Sequence, residues 1–185
     1  MTTASVQAQS TLDKFLKKGT EGSGASASEA GINKVYKSAQ GYWRLDDDRA
    51  AGGACAITYV TPAYYFAYIA PLNATTKPFI VFNGPTIPPA KKETKKKVVL
   101  STADGSVQTV LATHAPDATY KEFGTIFMVL GSIEQAMETM NDVENLTIVM
   151  DKRQVFAMKW QGGHIARAAM QKCLGGAEQK GGMKK

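Results

Sequence analysis

Cys55 and Cys173 are the residues best placed to do chemistry in this 185-residue chain. They form no Cys-x-x-Cys pair, which argues against a redox-active dithiol. Two readings remain open. In an oxidising compartment an even pair closes as a disulfide. In a reducing compartment each is a small buried hydrophobe. A bridge closing so long a loop would contribute about 4–5 kcal/mol in the chain-entropy model.

The other reactive residue types do not assemble into a site. A zinc-type centre needs three or four ligands at workable spacing, and neither His114 nor His164 has such neighbours. His114, beside Ala115-Pro116-Asp117, is expected in a loop, and His164 at the start of the last helix. Both read as surface or capping residues. Ser101 or Ser106 with His114 and Asp117 or Glu122 would provide hydroxyl, base and acid, but no Gly-x-Ser-x-Gly elbow presents a serine. Asp46-Asp47-Asp48 lacks the alternating ligands and distal Glu of a calcium loop and reads as a solvated turn. The residues therefore give no catalytic set, no metal site and no cofactor.

Two groups could bind rather than react. Lys91, Lys92, Lys95, Lys96 and Lys97 follow Pro88-Pro89 and are expected on a loop entering a hairpin. They would bind an anionic surface, such as lipid headgroups, lipopolysaccharide or nucleic-acid phosphate, or simply keep a sheet edge soluble. That run and the lysines after Leu174 account for the whole formal net charge of +6. The rest of the chain is neutral, which argues against a nucleic-acid-binding domain, and no aromatic interleaves for base stacking. The second group is aromatic. Tyr59, Tyr64, Phe66 and Tyr68, with Tyr65, would line a ligand pocket or fill a core with hydroxyls at its rim.

The elements that must position these residues are mostly strands. Tyr42–Leu45, Cys55–Val60, Tyr64–Ala70 and Pro78–Phe82 read as strands, with Tyr64–Ala70 apolar on both faces and so central in a sheet. Asp104-Gly105, between Val98–Thr102 and Val107–Leu111, predicts a hairpin with a type I′ turn. Ser132 and Gln135 have capping-box spacing, and Ile133, Ala136, Met137 and Met140 predict a helix to about Asn141. Leu146, Ile148 and Met150, then Phe156, Met158 and Trp160, alternate on two strands joined at Asp151-Lys152-Arg153. A last helix is expected from His164 to Leu174, with Ile165, Ala168, Ala169 and Cys173 inward and Gly175 as its C-cap.

The ends differ in composition. Thr11–Lys18 has one or two amphipathic turns, and 22–31 is a Gly/Ser/Ala linker. Val6 and Ala8 stand where a signal-peptide cleavage site wants small residues. The basic and apolar regions of a leader do not precede them, so either Met1 replaces a longer leader or the likeness is a chance one. The organisation is thus 1–40 as a flexible segment holding a signal remnant or a chance likeness to one, 41–174 as one globular domain, and 175–185 as a basic tail. No apolar run reaches the ~20 residues of a membrane span. Strands, helix, hairpin, helix is an α+β order, expected as an antiparallel β-sandwich-like core with two short helices in its C-terminal half.

Gly41-Tyr42-Trp43 before Gly53-Ala54-Cys55-Ala56, with Gly162-Gly163, an alanine-rich helix and Cys173 near the end, resembles small exported proteobacterial proteins. That wider group is similar to the invasion-associated locus B proteins. The resemblance covers about Gly41 to Leu174. It implies a periplasmic or extracellular β-sandwich-like domain that acts on an unidentified protein or envelope surface, with no catalytic residues to carry over. This chain lacks the further cysteines many such proteins have, and its lysine run is not part of the pattern.

Overall fold

Alternating apolar side chains dictate extended strands, and the chain builds nearly everything from them. The structure, a computed structural model, describes residues 33–48, 53–73, 75–117 and 120–178. Among the described residues there are ten strands: β1 (Asn33–Lys37), β2 (Tyr42–Asp47), β3 (Ala54–Val60), β4 (Tyr65–Pro71), β5 (Phe79–Gly84), β6 (Thr94–Ser101), β7 (Val107–Pro116), β8 (Gly124–Val129), β9 (Glu144–Met150) and β10 (Arg153–Trp160). The described residues also hold two helices, α1 (Ile133–Glu138) and α2 (Gly163–Glu178). The strands form one sheet in the order β1-β2-β3-β4-β5-β8-β7-β6-β9-β10. Every neighbouring pair is antiparallel.

The sheet has apolar side chains on both faces. Trp43, Ile57, Tyr59, Phe66, Phe82 and Ile126 belong to one core with both helices. Ala54, Ala56, Ala67, Ile69, Val81 and Phe127 form a second cluster. β4 contributes Phe66 and Tyr68 to the first and Ala67 and Ile69 to the second. It lies between β3 and β5, the central place its two-sided pattern predicts.

The last strands fold back over the first. Phe156 of β10 meets Phe82 of β5 at 5.2 Å between ring centroids, and Trp160 stacks on Phe66 at 4.9 Å. Trp43 meets Trp160 at 5.9 Å and donates its Nε1–H to the Gln161 carbonyl at 2.8 Å. β10 stands at the end of the strand order and β4 and β5 in its middle. The sheet must therefore bend round on itself, in keeping with the twist of β-structure. α2 packs on β1, β2 and β3, burying Ala166, Met170 and Cys173. Cys173 is bonded to Cys55 on β3, with an S–S distance of 2.01 Å and Cα atoms 6.1 Å apart. Gly162, at φ +77, turns the chain from β10 into α2, and a Cβ there would lie 2.5 Å from the Tyr36 ring.

Several expectations are corrected. β1 lies within the segment read as preceding the domain, and β8 was not anticipated. α1 ends at Glu138 because Asn141 is needed elsewhere: its carbonyl accepts from Trp160 Nε1 and its amide donates to Glu144. α2 runs past Gly175 to Glu178, so it is not short. Its buried positions are Ala166, Met170 and Cys173, while Ile165 is exposed. The β6–β7 hairpin forms, but through the longer loop 102–106, with positive φ at Gly105 alone of its residues. The two-residue turn with both central φ values positive is instead Asp151-Lys152, at 51° and 65°, between the paired Met150 and Arg153. Thr11–Lys18, the linker 22–31, the signal-like residues and 179–185 lie outside the described residues.

Because the disulfide joins β3 to the last helix across 118 positions, removing it frees most of the chain in the unfolded state. Replacing both cysteines by serine is expected to cost about 4 kcal/mol. Urea denaturation of the double variant against the oxidised protein measures the loss.

Candidate functional site

The fold-back leaves space between the two parts of the sheet. A cavity of about 340 Å³ remains there. Strand alternation places Phe66, Ile80, Phe82, Leu100, Met128 and Trp160 on its wall. Phe66 is held between Phe82, at 5.6 Å, and Trp160, at 4.9 Å, in one stack of three rings. Fixed stacking of this kind sets the separation of the strands that carry the rings.

Polar groups gather where the β6–β7 loop meets the segment after α1. The first contributes Thr102, Asp104 and Ser106, and the second Thr139 and Asn141. Glu144, the first residue of β9, ties them together. Its side chain is 3% exposed. One carboxylate oxygen accepts from the backbone N–H of Ala103 at 2.6 Å and of Asn145 at 2.9 Å, and the other from Asn141 Nδ2 at 2.8 Å. Every donor is neutral. Among the described residues no cationic side chain pairs with Glu144, although buried charges are ordinarily paired.

Tyr68 reaches the same end of the cavity. It is 8% exposed, and among the described residues its hydroxyl has no hydrogen-bond partner. Burial, then the Glu144 carboxylate, hold this phenol well above its ordinary value. Asp104 is fully exposed. Hydrogen bonds from the Thr102 hydroxyl, at 2.7 Å, and the Ser106 N–H, at 2.9 Å, keep its carboxyl below the usual range. It is therefore ionised at neutral pH.

The cavity gathers only part of what the sequence singled out. Phe66 and Tyr68 line it. Tyr59 is instead buried against Trp43 at 5.0 Å, and Tyr64 packs edge-on to Phe156 at 5.5 Å. The lysine run is not a loop throughout, because β6 begins at Thr94. Alternation then divides its lysines. Lys95 donates to the Thr113 hydroxyl at 2.6 Å, while Lys96 pairs with Asp151 at 2.8 Å. Lys91, Lys92 and Lys97 are exposed.

His114 is a buried strand residue, not a loop residue, with Nε2 2.7 Å from the Pro88 carbonyl oxygen. Gly124 makes room for this contact, since a Cβ there would lie 2.1 Å from the Pro88 oxygen and 2.6 Å from His114 Nε2. Thr94 faces His114 at one end of the β6–β7 ladder and Ser101 faces Val107 at the other, so no triad forms with Ser101 or Ser106. Asp117 is bonded to Asn83, Thr125 and the Tyr120 N–H. His164 is exposed at the start of α2. Asp46 and Asp47 lie in β2 instead of a solvated turn, and Asp46 is buried and paired with Arg44 at 2.9 Å. Asp47 comes close to Cys55 and Cys173, but the disulfide occupies both sulfurs. Among the described residues no helix is long and apolar enough to cross a membrane.

Sequence reasoning missed Glu144 and the cavity role of Trp160. A lone acid opening a strand carries no local signal, and Trp160 read as ordinary core. Compared with family models, curated proteins and solved structures, the chain gives no match.

Tyr65 is the second phenol held above its ordinary value, by burial first and then by Asp117 and Tyr120. For both tyrosines the unfolded chain ionises first. Their contribution to stability is complete below the unfolded value near 10.0 and falls as pH rises toward the folded values. Denaturation midpoints should therefore drop steeply above about pH 10. Tyr68→Phe should flatten that slope, and phenolate absorbance should show two late-ionising tyrosines.

Proposed function

We propose that this chain is a non-enzymatic, exported binding protein that holds a small, largely apolar molecule inside its folded-back sheet. The observation that carries the reading is the cavity. Its ~340 Å³ lies within the usual range of ligand pockets, and its lining joins an aromatic and aliphatic wall to a few convergent polar groups. We read the two parts of the sheet as the walls of a sandwich-like shell, with α1 and the β6–β7 loop at its rim.

Export to a periplasmic or extracellular setting is supported by the disulfide, which persists where thiols are kept oxidised. The likeness to exported proteins of the invasion-associated locus B type points the same way. The absence of enzymatic activity is read from the dispersal of hydroxyl, imidazole and carboxylate groups over separate parts of the fold. Contact with an envelope partner is compatible with this reading. Val107, Leu111 and Val129 stand exposed on β7 and β8.

The neutral fluorophore N-phenyl-1-naphthylamine tests the cavity. It should bind saturably, with blue-shifted emission and low-micromolar affinity. Leu100→Trp, which fills the space from a half-buried position, should abolish binding while leaving the melting temperature within a few degrees. Saturable binding that survives in Leu100→Trp would place the probe elsewhere. For export, the intact mass of natively produced protein should show a removed leader and thiols that alkylate only after reduction.

A further inference from the structure

The charge inside the cavity has the opposite sign to the chain as a whole. The formal net charge is +6. The lining nevertheless carries two carboxylates, Asp104 and Glu144, and no Lys, Arg or His. One carboxylate on a surface loop would mean little. Glu144 differs, being buried, supplied only by neutral donors and left without a cation among the described residues. Those donors use the lone pairs along its two oxygens but do not cancel its charge.

Tyr68 is the second, independent observation. The residue lies in the same lining and is more than nine-tenths buried, and its hydroxyl has no partner among the described residues. A ligand that donates a hydrogen bond there and brings positive charge near Glu144 would satisfy both groups at once. An anionic ligand would meet two carboxylates in a space of low polarity, where like charges repel strongly.

Resting on the reading of the cavity as a ligand site, we infer that its ligand is an organic ammonium: an apolar, planar body bearing one protonated amine. The body lies against Ile80, Leu100 and Met128. The ammonium donates to the Tyr68 hydroxyl oxygen and lies in the field of Glu144, with Asp104 drawing it in at the rim. Fatty acids and other apolar anions are disfavoured by the same carboxylates.

Three indole probes of nearly equal size separate the alternatives. Tryptamine carries the ammonium, tryptophol a neutral hydroxyl and indole-3-propionate a carboxylate. Isothermal titration of the disulfide-closed protein at pH 7 should give tryptamine an affinity at least tenfold above tryptophol, with indole-3-propionate weakest. Glu144→Gln should remove most of the advantage over tryptophol. Asp104→Asn, at an exposed position, should reduce it two- to threefold and slow association. Tyr68→Phe should weaken tryptamine more than tryptophol.

Equal binding of tryptamine and tryptophol would overturn the inference and leave the cavity reading standing. So would binding of N-phenyl-1-naphthylamine with none of the indoles. Failure of all four probes would remove both. If Glu144→Gln does not fold, loss of the tryptamine preference in Asp104→Asn at 0.5 M salt, compared with the parent at low salt, still decides the matter.

Discussion

Trp43 against Trp160 is the contact on which the rest depends. One ring comes from the second strand and the other from the end of the tenth, and the Trp43 N–H is satisfied by the chain just beyond Trp160. The disulfide repeats the same tie a layer away, from β3 to α2. An open sheet of ten strands would leave the rings of β4 and β5 exposed to water. Folding β9 and β10 over them buries that surface, and such burial is the main favourable term in folding. The cavity follows from the same closure, because its two walls come from strands that are distant in sequence.

The sequence carries the local patterns of this fold more clearly than its closure. Leu146, Ile148 and Met150, with Phe156, Met158 and Trp160, alternate plainly and are buried as a pair of strands. The double-sided pattern of β4 marks a strand buried on both faces. β8 escapes because Thr125-Ile126-Phe127-Met128 is buried throughout and has no alternation to read. The hairpin at Asp104-Gly105 forms where the sequence marks it, but through a longer loop than the type I′ turn that the dipeptide suggests. Asp151-Lys152 takes the tight geometry where the register of β9 and β10 demands it. Helix α2 shows one inward stripe and one small-residue stripe side by side, and contact with β1, β2 and β3 selects the stripe containing Met170.

The site was less legible than the fold. Phe66 and Tyr68 stand out as aromatics on one strand, but the residues that close over them come from β6, β8, β9 and β10. Their meeting depends on the crossing from β5 to β6 and from β8 through α1 to β9, which no local spacing encodes. The lysine run shows the reverse. It is the most visible charge feature in the sequence, yet strand alternation splits it between Thr113 and Asp151. Glu144, invisible as a motif, becomes the group that joins the hairpin loop, the end of α1 and β9.

The strand order also constrains how the molecule can be made. β1 to β5 leave a ribosome or a translocation channel before β10 and α2, and they can pair with one another in sequence. Their apolar inner face, however, waits for β10 and α2, which come much later in the sequence. An emerging chain therefore carries Trp43, Phe66 and Phe82 uncovered until those later elements are available. During that interval it is a natural client for a holding chaperone, and a truncated product would remain one.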